Sequence, residues 1–215
     1  MKLSVIVAAC ERDLPKKGGR LRVDMLAKCL QSIRNGGHAD FECLVCSDGH
    51  SDLVRETVKA MDDERFKYAC VPHRGVYGAG TQRNAMTAIA SGSHLCWIDD
   101  DDRYAPNGLG TIAEGIAAHP DCPLIFQMEY PRSGRVIWRD DGRCKGQPKA
   151  PAIRGFVGTP MFVIPNKPAK LGRWGLANYS DADFVESTLA KGWPDPVWIP
   201  KVVAHVRLQH DREEW

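Results

Sequence analysis

No apolar run in this sequence approaches the ~20 residues that cross a bilayer, so the stretch given holds no helical membrane span. An excess of one charge is missing too. The 29 Lys and Arg nearly balance the 27 Asp and Glu, and the formal net charge is +2. That is too small to imply a nucleic-acid or membrane partner. Internal repeats and low-complexity tracts are absent. The opening MKLSVIVAACERD has only a short apolar stretch with charge right behind it, which reads as a first strand rather than a secretory leader. A cytoplasmic, reducing setting is therefore expected, and a disulfide framework is not. The eight cysteines are scattered, mostly in apolar contexts such as FECLVC and HLCWI, and are expected as buried thiols. Cys43 and Cys46 spell C-x-x-C inside a predicted strand, where side chains three apart point to opposite faces. That argues against a redox pair or a zinc site.

What is present fits one well-buried domain: 215 residues, 43% hydrophobic and 26% charged. Apolar runs predict strands at 3–9, 41–46, 66–71 and 95–98, and helical spacing predicts helices at 24–35, 52–61 and 81–90 between them. Pro106 opens a further helix to 118, with Leu109, Ile112, Ala113 and Ile116 on one face. Alternation of this kind implies an α/β fold with a mainly parallel sheet covered on both sides. The second half is mixed, with strands predicted at 124–130, 135–139 and 161–164 and a helix at 181–191. The expected organisation is a single domain over 1–215, with a nucleotide-binding half (1–105) and an acceptor-side half (106–215).

The segment HLCWIDDDD carries the strongest chemical signal. A buried apolar run stops in four consecutive aspartates, Asp99 to Asp102. Four carboxylates at one strand end repel one another unless a cation sits among them. Oxygen-only clusters suit Mg²⁺ or Mn²⁺, and ligands of α/β sheets bind at the carboxyl ends of strands. Taken alone, an acidic run is more often a solvated turn or a helix opening. Its place directly after a buried strand favours a metal site holding a phosphate-bearing ligand.

Other residues fit the same picture. Asp48 ends the second strand in LVCSDGHSD, where a carboxylate can accept from a base or ribose, and where an Asx turn is an equal reading. Gly75, Gly78 and Gly80 lead into a helix start that can receive phosphate, or they only make a turn. Arg83 follows as a cation suited to phosphate. Ser180 and Asp183 have capping-box spacing, which leaves Asp181 free to deprotonate an incoming hydroxyl. His205 and His210 are late candidates for a metal shell or for structural roles.

In this order and spacing, the motifs resemble the inverting glycosyltransferase family 2, which has the GT-A fold. Strand 3–9, with Ala8 at its donor-side end, is similar to the family's opening strand. LVCSDGHSD resembles its second-strand motif, with Ser47 in place of the first aspartate and Asp48 matching the second. Gly80 with Arg83 and Asn84 resembles the Gly…Arg-Asn segment, and Asp99 to Asp102 with Pro106 and Leu109 resembles the D-x-D motif. Gly172-Arg-Trp with Ser180 and Asp181 resembles the stretch that ends in the catalytic base, Ser180 replacing the usual Glu. Arg207-Leu-Gln-His210 resembles the late Arg-x-x-His segment. The loop 11–23 is longer and more basic than the family's usual turn.

The resemblance implies sugar transfer from a nucleotide-sugar, a UDP-sugar above all, to an acceptor hydroxyl. It implies Mn²⁺ or Mg²⁺ held by Asp99, Asp101 and His210. Ala8, Asp48, Arg83, Asp99 and Asp100 would contact the donor, and Asp181 would be the base. The acceptor stays open among saccharides, lipid-linked sugars, proteins and modified nucleic acids. A nucleotidyltransferase that makes a nucleotide-sugar and a non-catalytic binding module are the competing readings.

Overall fold

The computed structural model describes residues 1–10, 20–73, 79–137, 157–176 and 180–206, without the side chains of 20–22. Its strands are β1 (Leu3–Ala9), β2 (Phe41–Asp48), β3 (Phe66–Val71), β4 (His94–Asp99), β5 (Arg103–Tyr104), β6 (Leu124–Tyr130), β7 (Arg135–Ile137), β8 (Phe162–Pro165) and β9 (Val197–His205). The helices are α1 (Arg20–Arg34), α2 (Asp52–Lys59), α3 (Gly80–Ile89), α4 (Gly108–Ala118) and α5 (Ser180–Leu189). All described strands join one sheet in the order β3-β2-β1-β4-β8-β6-β9-β5, with β7 paired to β6.

β1 to β4 are mutually parallel. β8 lies antiparallel to both β4 and β6, so β6 runs with the first four strands, and β9 is parallel to β6. β1 is buried along its whole length, as a continuous apolar strand covered on both faces must be. The crossovers from β1 to β2 to β3 run in one direction across the sheet and bring α1 and α2 together. The return from β3 to β4 brings α3 against β1, β2 and β3. α1 turns Leu26, Cys29, Leu30 and Ile33 into the core, a stripe at helical spacing. The Ser51 side chain caps α2 by accepting from the Val54 N–H at 3.1 Å.

Several element limits differ from the expectation. β2 continues through Ser47 and Asp48, because Ser47 pairs with Ala9 on one side and Asp48 with Val71 on the other. α1 starts at Arg20, so the end of the basic segment 11–23 is helical, and its residues 11–19 lie outside the described residues. α4 starts at Gly108 rather than Pro106, since Asn107 is left-handed with φ 59° and cannot continue a right-handed helix. β5 and β9 were not expected as strands. β7 ends at Ile137, and residues 138 and 139 of the expected strand lie outside the described residues.

The described cysteines are all free. Cys29, Cys43, Cys46 and Cys96 are buried, Cys10 and Cys122 are half-buried, and Cys70 is exposed. Burial pushes the Cys46 and Cys96 thiols up to about 12 and Cys43 higher still. The C-x-x-C pair is thus inert packing.

Candidate active site

One edge of the sheet collects the functional side chains. β1 to β4 all end there, with Ala8 in register with Cys46 on one side and Asp99 on the other. Ala8 is itself buried. A pocket of about 270 Å³ opens at this edge, lined by Asp99, Asp101, Asp102, Met128, Tyr130, Gly158, Thr159, Pro160, Asp181 and Val206. Strand ends of the first half thus meet β6, the turn before β8, the start of α5 and the end of β9.

The four aspartates divide their work. Asp99 and Asp101 are partly exposed, whereas Asp100 and Asp102 are buried. Asp100 accepts a hydrogen bond from the Cys10 N–H at 3.0 Å and is not among the residues that line the pocket. It ties the segment after β1 to the acidic strand end. The Asp102 N–H closes a turn onto the Asp99 carbonyl at 3.1 Å.

Arg83 reaches the same place from α3. Its guanidinium is buried and ion-paired with the Asp99 carboxylate. It also lies over the Trp174 ring, 4.5 Å from the centroid. Trp174 stacks face to face on Phe184 of α5, with centroids 4.3 Å apart and planes 9° apart. Trp97 and Phe162 complete this aromatic cluster. Asn84 holds the Trp174 backbone at both groups: its amide donates to the carbonyl at 2.9 Å, and its oxygen accepts from the N–H at 3.0 Å. Gly80 is required here, because a Cβ would sit 2.0 Å from the Gly175 carbonyl oxygen.

Asp181 lies in the first turn of α5 and lines the same pocket as Asp99, Asp101 and Asp102. Burial raises its pKa above the ordinary carboxylate value. The Ala182 N–H, which it accepts at 2.9 Å, and the Arg83 charge pull the other way, while Asp99 adds repulsion. Ser180 is the first residue of the helix and is buried, while Asp183 is exposed; residues 177–179, before the helix, lie outside the described residues.

Asp48 sits at the same sheet edge, on β2, outside the pocket lining. His73 faces it at 3.3 Å. Ser47, which stands in the position of the family's first aspartate, donates to the Gly49 carbonyl at 2.6 Å and bonds Tyr68 Oη at 2.9 Å. His205 ends β9 in register with Glu129, and its Nε2 is 3.6 Å from that carboxylate. Met128 and Tyr130, on either side of Glu129, line the pocket, so Glu129 and His205 belong to the other face. His210 and Arg207 lie outside the described residues, as do Gly75 and Gly78.

The donor chemistry fits a hard divalent ion, for which Asp99 and Asp101 offer oxygen ligands. Among the described residues no three ligating side chains converge as a metal shell, and Asp99 is turned to Arg83. Residues that the sequence reading missed are Met128, Tyr130, Gly158, Thr159, Pro160 and Val206. They come from β6, the turn before β8 and the residue after β9, whose arrival at this edge depends on strand order.

The fold and this edge define a GT-A glycosyltransferase architecture. The sequence model of "Glycosyl transferase family 2" matches residues 4–168, and the chain belongs to that family. A GalNAc(5)-diNAcBac-PP-undecaprenol beta-1,3-glucosyltransferase of Campylobacter jejuni is 30% identical over 115 residues, 53% of this chain and 34% of that protein. The UDP-Glc:alpha-D-GlcNAc-diphosphoundecaprenol beta-1,3-glucosyltransferase WfgD of Escherichia coli is 31% identical over 84 residues, 39% of this chain and 32% of that protein. This chain spans about a third of the length of each. Among solved structures, S. aureus TarS 1–349 in complex with UDP has a TM-score of 0.72 at 18% identity, covering 96% of this chain and 60% of that one. Mannosyltransferase PcManGT from Pyrobaculum calidifontis, in complex with GDP-Man and Mn²⁺, has a TM-score of 0.66 at 14% identity, covering 96% and 56%. These likenesses show the fold. No helix among the described residues is long and apolar enough to cross a membrane.

Proposed function

We propose that this chain is a metal-dependent, inverting glycosyltransferase that moves a sugar from a UDP-sugar to an acceptor hydroxyl. The observation that carries the proposal is the shared lining of one pocket by Asp99, Asp101 and Asp181. Two carboxylates at a strand end and a third, more basic one across a gap are what donor activation and proton removal need. Residues 1–105 would hold the nucleotide and 106–215 the acceptor. The UDP donor is supported by the complex of TarS with UDP and by the donor in the WfgD name. Both curated relatives are named for undecaprenol-linked acceptors, which favours a lipid-linked sugar here.

Asp99 and Asp101 would hold the Mn²⁺ or Mg²⁺ ion. When bound, that ion supplies charge neutralisation for the leaving diphosphate. Arg83 adds a fixed positive charge at the same edge, and its desolvated position strengthens that charge's field. Asp48 would accept from the base or ribose. Asp181 takes the proton from the acceptor hydroxyl as that oxygen bonds to the anomeric carbon. The bond from that carbon to the diphosphate oxygen breaks, UDP leaves, and the configuration inverts. Burial raises the basicity of Asp181, while Arg83 keeps its ionised form accessible.

The test measures nucleotide binding and turnover together. Calorimetry with UDP, with and without Mn²⁺, reads metal dependence. UDP-glucose, UDP-GlcNAc and GDP-mannose are then offered with Mn²⁺, and release of the nucleoside diphosphate is followed with and without a diphosphoundecaprenol-linked sugar. Metal-dependent UDP binding and acceptor-stimulated UDP release are expected. Pyrophosphate release from UTP and a sugar 1-phosphate would replace the reading with nucleotidyl transfer. Binding with no turnover of any donor would leave a binding module.

A further inference from the structure

We propose that Trp174 is a positioning residue that sets the distance between the base and the acidic strand end. The inference rests on the glycosyltransferase reading of the same pocket. Asp181 and Asp99 come from segments far apart in sequence, and no direct bond between them is described. Their separation is fixed by what lies between α3 and α5.

Trp174 fills that gap. On one face its ring carries the Arg83 guanidinium, 4.5 Å from the centroid, and Arg83 holds Asp99. It also stacks on Phe184, at 4.3 Å. Phe184 is fully buried three residues after Asp181, on the same side of α5. Asp99, Arg83, Trp174, Phe184 and α5 with Asp181 therefore form one continuous packed chain.

The backbone around Trp174 is pinned as well. Asn84, next to Arg83, binds both its N–H and its carbonyl. Gly80 lets α3 approach the Gly175 carbonyl, and Gly172 lets the same segment approach α5, where a Cβ would meet Ser187 Oγ at 2.2 Å.

Trp174 is also costly as mere filler. Its indole N–H is buried and has no hydrogen-bond partner among the described residues. A buried orphan donor is unfavourable, and a phenyl ring would avoid it. What indole adds is a large flat face, the best cation–π platform among the side chains. Arg83 takes that face. The residue thus serves the Arg83 contact beyond filling space.

The experiment compares Trp174→Leu, Trp174→Phe and Phe41→Leu with the unaltered protein. Phe41 is an equally buried aromatic at the opposite edge of the sheet, paired with Phe66, and controls for stability loss. Release of UDP from UDP-glucose or UDP-GlcNAc with Mn²⁺ is measured, and amide exchange is followed by mass spectrometry. Trp174→Leu is expected to lower kcat by at least about tenfold, since a misplacement of roughly 1 Å can cost about 10²-fold. The donor KM should stay within about twofold. Amides of Ser180–Leu189 should exchange faster while those of Leu3–Ala9 do not. Trp174→Phe, which keeps a smaller aromatic face for Arg83 and Phe184, should lose clearly less of kcat than Trp174→Leu.

A Trp174→Leu protein with unchanged kcat and unchanged α5 exchange overturns the proposal. So does an equal loss in Phe41→Leu. If Trp174→Leu does not fold, Asn84→Ala frees the same segment without removing the ring and must show the same split between kcat and KM. If the unaltered protein turns over neither donor, the functional reading fails. The exchange measurement then still decides whether Trp174 docks α5.

Discussion

Arg83 and Asp99 form an ion pair in which the cation is buried and the anion is partly open to the pocket. The arginine comes from α3 and the aspartate from the end of β4, so the pair locks a helix to the acidic strand end. The asymmetry matters. Removing the aspartate strands a buried charge, whereas the neighbouring Asp101 has a different environment.

This separates two substitutions at the D-x-D positions. Asp99→Asn should weaken metal-dependent UDP binding and also lower stability, by about 1–2 kcal/mol. That is below the cost of breaking a fully buried pair, because Asp99 is 36% exposed. Asp101→Asn should weaken the same binding and leaves the Arg83–Asp99 pair in place. Calorimetry with Mn²⁺ and UDP, run beside thermal melts, checks both. An Asp99→Asn protein as stable as the unaltered one would contradict the pairing.

A second prediction concerns the base end of the donor. Asp48 lies at the carboxyl end of β2, with His73 facing it. Asp48→Ala should weaken UDP and a UDP-sugar alike, by about 1–3 kcal/mol for a lost polar contact. An effect confined to the sugar part, read as a change for UDP-sugar and none for UDP, would remove Asp48 from base or ribose recognition.

The edge opposite the pocket has its own carboxylate. Glu42 is 3% exposed. Burial opposes its charge, but hydrogen bonds from Ser4 Oγ at 2.7 Å, the Ser91 N–H at 2.7 Å, Ser91 Oγ and Lys67 outweigh it and hold the carboxyl at about 2 instead of 4.5. The folded pKa lies below the unfolded one, so the stability is present above about pH 4.5 and is lost as pH falls toward 2. The contribution is roughly 3 kcal/mol. Urea unfolding should show Glu42→Gln less stable at pH 7, with the difference closing near pH 2.

The first half of the fold was legible because its strands are short apolar runs, with β1 buried along its whole length and β3 buried at Phe66 and Val71. Leu3–Ala9 and Phe66–Val71 are uninterrupted or nearly uninterrupted apolar runs between turn signals, and both limits stand. Val197–His205 was not, since Pro200 interrupts it and most of its residues are only half-buried or exposed. Losing that strand lost Val206 as a pocket residue. The acidic run and Asp181 were legible as motifs, but the roles within the run were not. That Asp100 turns inward to Cys10 while Asp99 turns to Arg83 depends on which elements cover the strand end. The Trp97, Phe162, Trp174 and Phe184 cluster was invisible for the same reason: its four members come from four separate segments.

The base carries the sharpest test, because its environment predicts opposite signs for stability and activity. Burial raises the Asp181 pKa in the folded protein, so the native state disfavours its charged form. For a carboxyl whose folded pKa lies above the unfolded one, stability is present below the unfolded pKa and is lost as pH rises through the folded one. At neutral pH Asp181 is therefore a burden on the fold, and Asp181→Asn should match or exceed the unaltered protein in thermal stability. The same change should leave UDP affinity in place and cut transfer by about 10²-fold or more, the usual cost of losing a general base. Asp183→Asn should leave transfer near normal, since Asp183 is exposed and does not line the pocket. The acid limb of the kcat profile should sit above the ordinary carboxylate range and disappear in Asp181→Asn. A melt that falls together with activity in Asp181→Asn would make this carboxylate a structural group, and loss of transfer at Asp183 alone would move the base two residues along the helix.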